Sequence, residues 1–205
     1  MAKGIYLCVE GIDGSGKSTA VSWIKEFFES KGRDVITVRE PGSTAAGERV
    51  REILKSDLNI TPMTELLLMF SARSQLIEEV IQPALSEGKV VISDRCYLSS
   101  YAYQGAGRGI CQKKIEALEH ISGCTLRADL LFVFFMPYAL AKKRWTDIDR
   151  IEGEGVEFFE KVSEFYTNKG LEGFAKRTKK ILAFNKMEEV RSEILKELKE
   201  VYNDK

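Results

Sequence analysis

The sequence carries no net charge, a single histidine and few cysteines. Lys and Arg together number 31, as do Asp and Glu together, so the formal net charge of the 205 residues is zero. A neutral chain lacks the basic surface that attracts nucleic acid or an anionic membrane, and we expect neither as a partner. Four cysteines without a C-x-x-C pair and a single histidine exclude the common structural zinc sites.

Long apolar runs are also missing. A membrane-spanning helix needs roughly 18 to 20 apolar residues, whereas the longest strongly apolar block here covers residues 130–136. The apolar run at residues 5–9 is too short for the core of a signal peptide. We therefore expect a cytoplasmic protein with reduced cysteines. Because 44% of the residues are hydrophobic, we expect a single folded domain over residues 1–205.

Apolar runs alternate with helical patterns along the chain. The runs predict strands at residues 5–9, 34–39, 90–93, 130–136 and 180–184. Helical spacing predicts helices at residues 19–31, 47–54, 62–85 and 187–202. This alternation is typical of an α/β fold with a central parallel sheet of about five strands and helices on both faces. Ligands of such a sheet bind at the carboxyl ends of its strands.

A glycine-rich loop joins the first strand to the first helix. It reads Gly11-Ile-Asp-Gly-Ser-Gly-Lys-Ser18 and matches the pattern G-x-x-x-x-G-K-[ST]. The backbone N–H groups of such a P-loop surround phosphate oxygens, while Lys17 reaches the β and γ phosphates and Ser18 offers a hydroxyl to Mg²⁺. The motif predicts a three-layer P-loop NTPase fold that binds a nucleoside triphosphate and Mg²⁺. We expect the nucleotide to contact Gly11, Ile12, Asp13, Gly14, Ser15, Gly16, Lys17, Ser18 and Thr19.

Two further strands end in charged pairs. Asp94 and Arg95 follow the third strand, where an aspartate beside a P-loop holds Mg²⁺ directly or through water. Arg39 and Glu40 end the second strand. Either pair alone reads as a surface ion pair worth less than about 1 kcal/mol. Two pairs at neighbouring strand ends instead favour a second anion site, in which Arg39 and Arg95 bind the phosphate of an acceptor.

The long helix and the segment after Arg95 offer contacts for a planar base. Met69 and Phe70 share a helix face with Arg73, so an apolar or aromatic platform stands beside a guanidinium. Periodicity alone equally allows a core stripe with a solvated arginine. Hydroxyl, amide and aromatic side chains follow at Ser99, Ser100, Tyr103 and Gln104.

In their order and spacing these motifs resemble those of the thymidylate kinases, which phosphorylate dTMP to dTDP with ATP. The resemblance covers nearly the whole chain: Glu10 to Ser18, Arg39-Glu-Pro-Gly42, Phe70-Ser-Ala-Arg73, Asp94-Arg95 with Ser99 and Ala102-Tyr-Gln-Gly105, and Asp149-Arg150. It implies that Asp13 approaches the acceptor sugar and phosphate, and that Arg39 and Arg95 bind this phosphate. It further implies that Arg73, Ser100 and Gln104 contact thymine, that Tyr103 excludes a ribose 2′-hydroxyl, and that the protein is a homodimer.

The resemblance also implies a mobile lid near residues 142–152. Family members with an arginine directly after the P-loop aspartate supply transition-state charge from the loop, but here Gly14 occupies that position. The lid must then bring the cation, and the choice between Arg144 and Arg150 stays open, with Lys143 as a weaker candidate. The expected catalytic residues are therefore Asp13, Lys17, Arg95, Arg144 and Arg150.

The chain departs from the family pattern near the base. The usual stacking phenylalanine is replaced by Met69, so either Met69 or the adjacent Phe70 forms the platform. Cys96 replaces a tyrosine, Ser43 replaces a glycine, and an aspartate common at the end of the fourth strand is absent. These changes leave dUMP or another deoxynucleoside monophosphate as an alternative acceptor. The alternative class is a nucleotide-dependent interaction protein that uses the P-loop as a switch.

Overall fold

The fold is a five-stranded parallel sheet with helices on both sides, seen in a computed structural model. The structure describes residues 3–145, 149–167, 171 and 173–203. The strand order is β2-β3-β1-β4-β5. The strands are β1 (Ile5–Glu10), β2 (Val35–Arg39), β3 (Val90–Asp94), β4 (Leu130–Phe135) and β5 (Thr178–Leu182). The predicted fold class is confirmed, although β5 begins and ends two residues before the predicted 180–184 segment.

Helices fill the connections between these strands. The bounds are α1 (Lys17–Glu29), α2 (Ala45–Lys55), α3 (Pro62–Leu76), α4 (Gln82–Ser86), α5 (Tyr97–Ser99), α6 (Gln112–Ile121), α7 (Tyr138–Ala141), α8 (Val156–Thr167) and α9 (Met187–Asn203). A π-helical turn, Ile77–Ile81, joins α3 to α4, and a second, Ser100–Gly107, continues α5. The long helix predicted at 62–85 is thus present but contains a wider turn. Helix α6 was not predicted, because few apolar residues mark its buried face.

The three central strands explain why the sheet folds around β1. All six residues of β1 are buried, as are the first five of β4 and the first four of β3. Their continuous apolar character suits strands covered by helices on both faces. The edge strand β2 is only partly buried. Among the described helices, none is long and apolar enough to cross a membrane.

The strand register places the charged strand ends side by side. Val9 pairs with Asp94 between β1 and β3, and Arg39 pairs with the same Asp94 between β2 and β3. Because all pairs are parallel, the P-loop after β1 lies at the same edge of the sheet. This edge forms the floor of the main cleft.

Candidate active site

Two adjoining cavities open along this edge of the sheet. The P-loop cavity has a volume of about 1090 Å³ including its open mouth, and the α3 cavity, between α3 and the segment after β3, about 680 Å³. The P-loop cavity is lined by Gly14, Gly16, Lys17, Ser18, Thr19, Arg39, Asp94 and Arg144. The α3 cavity is lined by Met69, Arg73, Ser99, Tyr103, Gln104 and neighbouring residues. Both include Asp13, Glu40, Arg51 and Arg95, so two ligands would meet there.

The P-loop backbone curls around the space that a phosphate would occupy. Gly16 precedes α1 with a φ of 93°, in the left-handed region that glycine reaches without strain. The N–H groups at the start of α1 therefore face the P-loop cavity, together with the positive end of the helix dipole. Lys17 is buried and donates hydrogen bonds to the Ile12 carbonyl at 3.1 Å and to Asp13 at 3.4 Å. Burial and the nearby Arg95 lower the pKa of Lys17, and an anionic ligand would offset both effects.

Asp94 and Ser18 fit the requirements of a magnesium site. Both side chains line the P-loop cavity. The Oδ1 atom of Asp94 is buried and has no hydrogen-bond partner. Mg²⁺ prefers oxygen ligands and usually combines one or two protein ligands with phosphate oxygens and waters. The described residues contain no cluster of three or more His, Cys, Asp or Glu side chains that could hold a metal by themselves.

Arg95 lies at the junction of the two cavities and is held rigidly. Its backbone adopts a φ of 74°, uncommon for a residue other than glycine, and its N–H donates to the Val9 carbonyl at 2.9 Å. Its guanidinium donates to Asp13 at 2.8 Å and to Ser99 and Tyr103 at 3.2 Å. Burial raises the pKa of Asp13, but Arg95 and Lys17 outweigh it and hold this pKa well below its ordinary value. Asp13 is therefore ionised and aligns both cations.

Glu10 supports this arrangement and was missed as a site residue. It is fully buried and accepts hydrogen bonds from the backbone N–H of Cys96 at 2.8 Å and of Ser99 at 2.9 Å. The hydroxyls of Ser99 and Tyr166 donate to it at 2.9 and 2.8 Å. Its carboxylate thus anchors the start of α5 and orients the serine that contacts Arg95. The only sequence signal was a carboxylate at the end of a buried strand.

Arg73 reaches the α3 cavity from a buried network. Its guanidinium, on a side chain that is 3% exposed, donates to Glu40 at 2.5 Å, to the Ser100 hydroxyl at 3.0 Å and to the Cys96 carbonyl at 3.2 Å. Burial raises the pKa of Glu40, and Arg73 opposes this shift. Guanidinium carries five N–H donors, so two have no partner among the described residues. The guanidinium also lies 5.0 Å from the centre of the Phe70 ring.

Two of the expected substrate residues are buried behind the wall of the α3 cavity. Phe70 is buried beneath Arg73, and Ser100 is buried against its guanidinium; neither lines the α3 cavity in the described structure. Both side chains contact Arg73. Met69 does line the cavity, and this favours Met69 as the platform. Successive residues of a helix point about 100° apart, and here Phe70 is turned into the core.

Arg39 and Arg51 bring additional positive charge. Arg39 lines the P-loop cavity, is more than half exposed, and pairs with Glu48 at 2.9 Å. Arg51, on α2, lines both cavities and donates to the Pro41 carbonyl at 3.0 Å. Burial and the repulsion of Arg39 lower its pKa. Sequence reasoning missed Arg51, because its place within an amphipathic charged helix resembles that of any solvated arginine.

Within the described part of the expected lid, the two candidate arginines, Arg144 and Arg150, have different surroundings. Residues 146–148 of this segment lie outside the described residues. Arg144 lines the P-loop cavity and donates to the Gly14 carbonyl at 3.1 Å. Arg150 instead donates to Glu65 at 2.7 Å and to the Leu54 carbonyl at 3.2 Å. In this conformation Arg144, and not Arg150, faces the phosphate site; Lys143 lies in a separate groove against α8.

The base of this segment rests directly on the P-loop. The Trp145 indole N–H donates to the Asp13 carbonyl at 3.0 Å. Gly14 has a φ of 78°, and a Cβ atom there would lie 2.5 Å from the Ala141 carbonyl oxygen. A larger residue at position 14 would therefore collide with α7. Gly14, which stands where some family members have an arginine, thus also leaves room for Arg144 to approach the P-loop.

The parallel sheet, the P-loop and the cation-lined double cleft define the class of P-loop phosphotransferases. The family model for thymidylate kinase matches residues 9–194. Thymidylate kinase from Nitrosomonas europaea is 38% identical across 100% of this chain and 96% of its own length, and that from Nitrosospira multiformis is 39% identical across 98% and 99%. The crystal structure of thymidylate kinase from Ehrlichia chaffeensis superposes with a TM-score of 0.78 at 27% identity, covering 96% of this chain and 99% of that one. The chain belongs to the thymidylate kinase family and is an enzyme of nucleotide biosynthesis.

Proposed function

We propose that the protein transfers the γ-phosphoryl group of ATP to the 5′-phosphate of dTMP and so forms dTDP. ATP binds in the P-loop cavity and dTMP in the α3 cavity. The observation that carries this proposal is that the two cavities meet at Asp13 and Arg95. Donor and acceptor phosphates are thereby brought together, and the family assignment supplies the nucleotide chemistry.

On the donor side, the chain neutralises and orients the triphosphate. The backbone N–H groups of the P-loop surround the β-phosphate, and Lys17 exchanges its hydrogen bonds to Ile12 and Asp13 for β and γ oxygens. Ser18 and Asp94 would hold Mg²⁺, which when bound supplies charge neutralisation at the phosphate oxygens. The protein thus provides position and charge, the two main contributions to phosphoryl transfer.

On the acceptor side, Arg95 presents the phosphate of dTMP to the γ-phosphoryl group. Its guanidinium is oriented by Asp13, Ser99 and Tyr103 before any ligand arrives, so little conformational freedom is lost on binding. Arg39 and Arg51 add charge at the same junction. The attacking oxygen is already anionic, so the reaction needs no general base to remove a proton. Asp13 keeps the cations aligned and approaches the sugar.

The base of dTMP lies in the α3 cavity. Met69 offers an apolar surface for one face of the ring. The two remaining N–H groups of Arg73 suit the O4 atom of thymine, and Gln104 lies at the same edge. Tyr103 is buried with its hydroxyl on Arg95, and in this proposal its ring takes the space that a ribose 2′-hydroxyl would need. Uracil presents the same polar edge as thymine, so dUMP is the second acceptor that this site admits.

Arg144 is the lid cation in this proposal. Its contact with the Gly14 carbonyl and its position in the wall of the P-loop cavity support this role, because we expect the γ-phosphoryl group and the charge of the transition state in that cavity. The segment near residues 142–152 closes over bound ATP and excludes water. Arg150 donates hydrogen bonds to Glu65 and to the Leu54 carbonyl. In this proposal it attaches the far end of the lid segment to α2 and α3 and does not contact the phosphates.

We also propose that the enzyme acts in the cytoplasm, where both nucleotides occur.

We further propose that two copies form a homodimer through α3 and α6. Leu67 on α3 and Ile121 on α6 are 46% and 82% exposed, and they border one groove together with the partly buried Leu118. Apolar side chains grouped in this way are typical of subunit contacts. The molar mass in solution tests this: about twice the 23.2 kDa of one chain supports a dimer, and one chain mass excludes it.

An acceptor panel tests the proposed reaction. The purified enzyme is supplied with Mg²⁺ and ATP and with dTMP, dUMP, dCMP, dAMP or dGMP in turn, and the diphosphate products are quantified. We expect dTMP to give the highest kcat/KM, and Lys17→Ala to abolish turnover. Lys25→Ala, an exposed change on the same helix, serves as the matched control. ATP binding without formation of any diphosphate would contradict the proposal and favour the interaction-protein alternative.

A further inference from the structure

Glu65 is a buried carboxylate outside both cavities that contacts a residue of the α3 cavity. It lies in the first turn of α3 and is 1% exposed. Its Oε1 atom accepts a hydrogen bond from the Gln104 side-chain amide at 2.8 Å. Arg108 donates to both carboxylate oxygens at 3.3 and 3.0 Å, and Arg150 donates to Oε2 at 2.7 Å. One side chain therefore joins α3, the segment after β3 and the far end of the lid segment.

The two arginines keep Glu65 ionised. Burial raises the pKa of Glu65, but hydrogen bonds from Arg108, Gln104 and Arg150 outweigh burial and hold the pKa below its ordinary value. An ionised carboxylate only accepts hydrogen bonds, because it carries no proton to donate. Whatever approaches it must present an N–H or O–H group. Glu65 can therefore only accept a hydrogen bond from the Gln104 amide and cannot donate one to it.

A glutamine amide has a donor end and an acceptor end, and either can face a ligand if nothing holds it. Here the donor end, Nε2, is bound to Glu65. The acceptor end, Oε1, is therefore directed away from the Glu65 carboxylate, and Gln104 is one of the residues that line the α3 cavity. Turning the amide over would set its Oε1 atom against the ionised, buried carboxylate of Glu65, which is repulsive and removes the hydrogen bond between the two side chains.

We infer that Glu65 is a positioning residue for base specificity, which holds Gln104 so that only its carbonyl oxygen meets the base. This inference rests on the proposed function and deepens it. Arg73 presents N–H donors at the same edge of the cavity. A donor beside an acceptor complements thymine and uracil, which carry O4 and an N3–H group. Cytosine carries an amino group and an unprotonated N3 at these positions, so it meets a like group at each.

Glu65→Gln tests the inference with dTMP, dUMP and dCMP as acceptors. A neutral glutamine at position 65 can donate as well as accept, so the Gln104 amide is free to turn its N–H groups towards the base. We expect the ratio of kcat/KM for dTMP to that for dCMP to fall by about tenfold or more, since a mismatched buried hydrogen bond no longer penalises cytosine. The ratio for dTMP to dUMP stays within about twofold, because both bases present the same edge.

Two controls separate positioning from general damage. Glu119→Gln makes the same change at a buried glutamate on α6, paired with Arg127 and remote from the α3 cavity; we expect both ratios to remain as in the wild type. Gln104→Met removes the amide, and adding Glu65→Gln to it should change the dTMP to dCMP ratio no further. Parallel loss of all three activities in Glu65→Gln would overturn the inference. So would an additional fall of the ratio in the double variant.

A measurement on the wild-type enzyme covers the case in which Glu65→Gln fails to fold. In the complex with dTMP, the side-chain NH₂ protons of Gln104 should show nuclear Overhauser contacts to the Arg108 Nε proton, because both groups donate to Glu65 Oε1. Contacts of those NH₂ protons to the thymine ring instead would refute the inference. If the wild type forms no dTDP, the proposed function fails; if it does and the ratio is unchanged in Glu65→Gln, only the inference fails.

Discussion

Replacing Gly14 by alanine tests whether the lid segment acts through its contact with the P-loop. The added Cβ atom would lie 2.5 Å from the Ala141 carbonyl oxygen, closer than real Cβ contacts allow. The neighbouring atom is backbone and cannot rotate aside. The segment after α7 must therefore move, and with it the hydrogen bonds from Arg144 to the Gly14 carbonyl and from Trp145 to the Asp13 carbonyl.

The size of the effect follows from these contacts. Alanine at a φ of 78° costs about 1–2 kcal/mol, because its Cβ crowds the carbonyl in the left-handed region. Two lost hydrogen bonds cost about 1–3 kcal/mol together. We expect the free energy of unfolding to fall by about 2–5 kcal/mol and kcat to fall by about 10²–10³, the usual effect of removing one transition-state donor. The KM for dTMP should change little, because Gly14 does not line the α3 cavity.

Gly32→Ala is the matched control. Gly32 has a φ of 70° at the end of α1, and no atom lies within 4 Å of the position that an alanine methyl group would take there. It therefore carries the same backbone cost without a collision, about 1–2 kcal/mol, and should leave kcat unchanged. Urea unfolding and initial rates with dTMP and ATP measure both quantities. If Gly14→Ala loses no more stability than Gly32→Ala and keeps wild-type kcat, the contact between lid and P-loop has no role in turnover.

Further substitutions probe separate parts of the cleft. Arg144→Met should lower kcat by about 10²–10³ and reduce the free energy of unfolding by only about 0.5–1.5 kcal/mol, because it removes a single exposed hydrogen bond. Arg150→Met should destabilise the fold by about 1–3 kcal/mol, because the buried Glu65 loses a partner. Met69→Phe should lower the KM for dTMP by about twofold to tenfold through ring stacking, and Met63→Phe on the same helix should not. The destabilisation caused by Glu65→Gln should be full at neutral pH and shrink as pH falls below about 4, because the lowered pKa of Glu65 confers stability that is lost on protonation.

Each of these has a clear contrary result. A larger kcat loss in Arg150→Met than in Arg144→Met would reverse the assignment of the lid cation. An unchanged KM in Met69→Phe would mean that the base lies away from α3. For Glu65→Gln, thermal unfolding is measured from pH 7 to pH 3. A stability difference from the wild type that stays constant over this range would show that Glu65 is not ionised in the folded protein.

Local patterns were sufficient to predict the sheet and one half of the site. Buried strands are short apolar runs, and the residue after each run falls at the ligand edge of a parallel sheet. Lys17, Ser18, Asp94 and Arg95 could be placed at the cleft for this reason, and the structure brings them together there. The sequence neighbours of each residue were enough, because the P-loop and strand ends are continuous segments.

The residues that orient the site could not be predicted in the same way. From the sequence, Glu65 is an acidic residue in the first turn of a helix, where its negative charge interacts favourably with the helix dipole. Its actual partners Gln104, Arg108 and Arg150 are 39, 43 and 85 residues away along the chain. The same is true of the choice between Arg144 and Arg150, which depends on where the lid segment packs. Long-range packing, and not local composition, decides these roles.

The most direct test of the proposed reaction is the fate of the γ-phosphate. The enzyme is incubated with Mg²⁺, dTMP and ATP labelled in its γ-phosphoryl group, and the labelled products are separated. We predict label in the β-phosphate of dTDP, in amounts many times the enzyme concentration, and none when Lys17 is replaced by alanine. Label recovered only as inorganic phosphate, with dTMP unchanged, would contradict phosphoryl transfer between the two cavities.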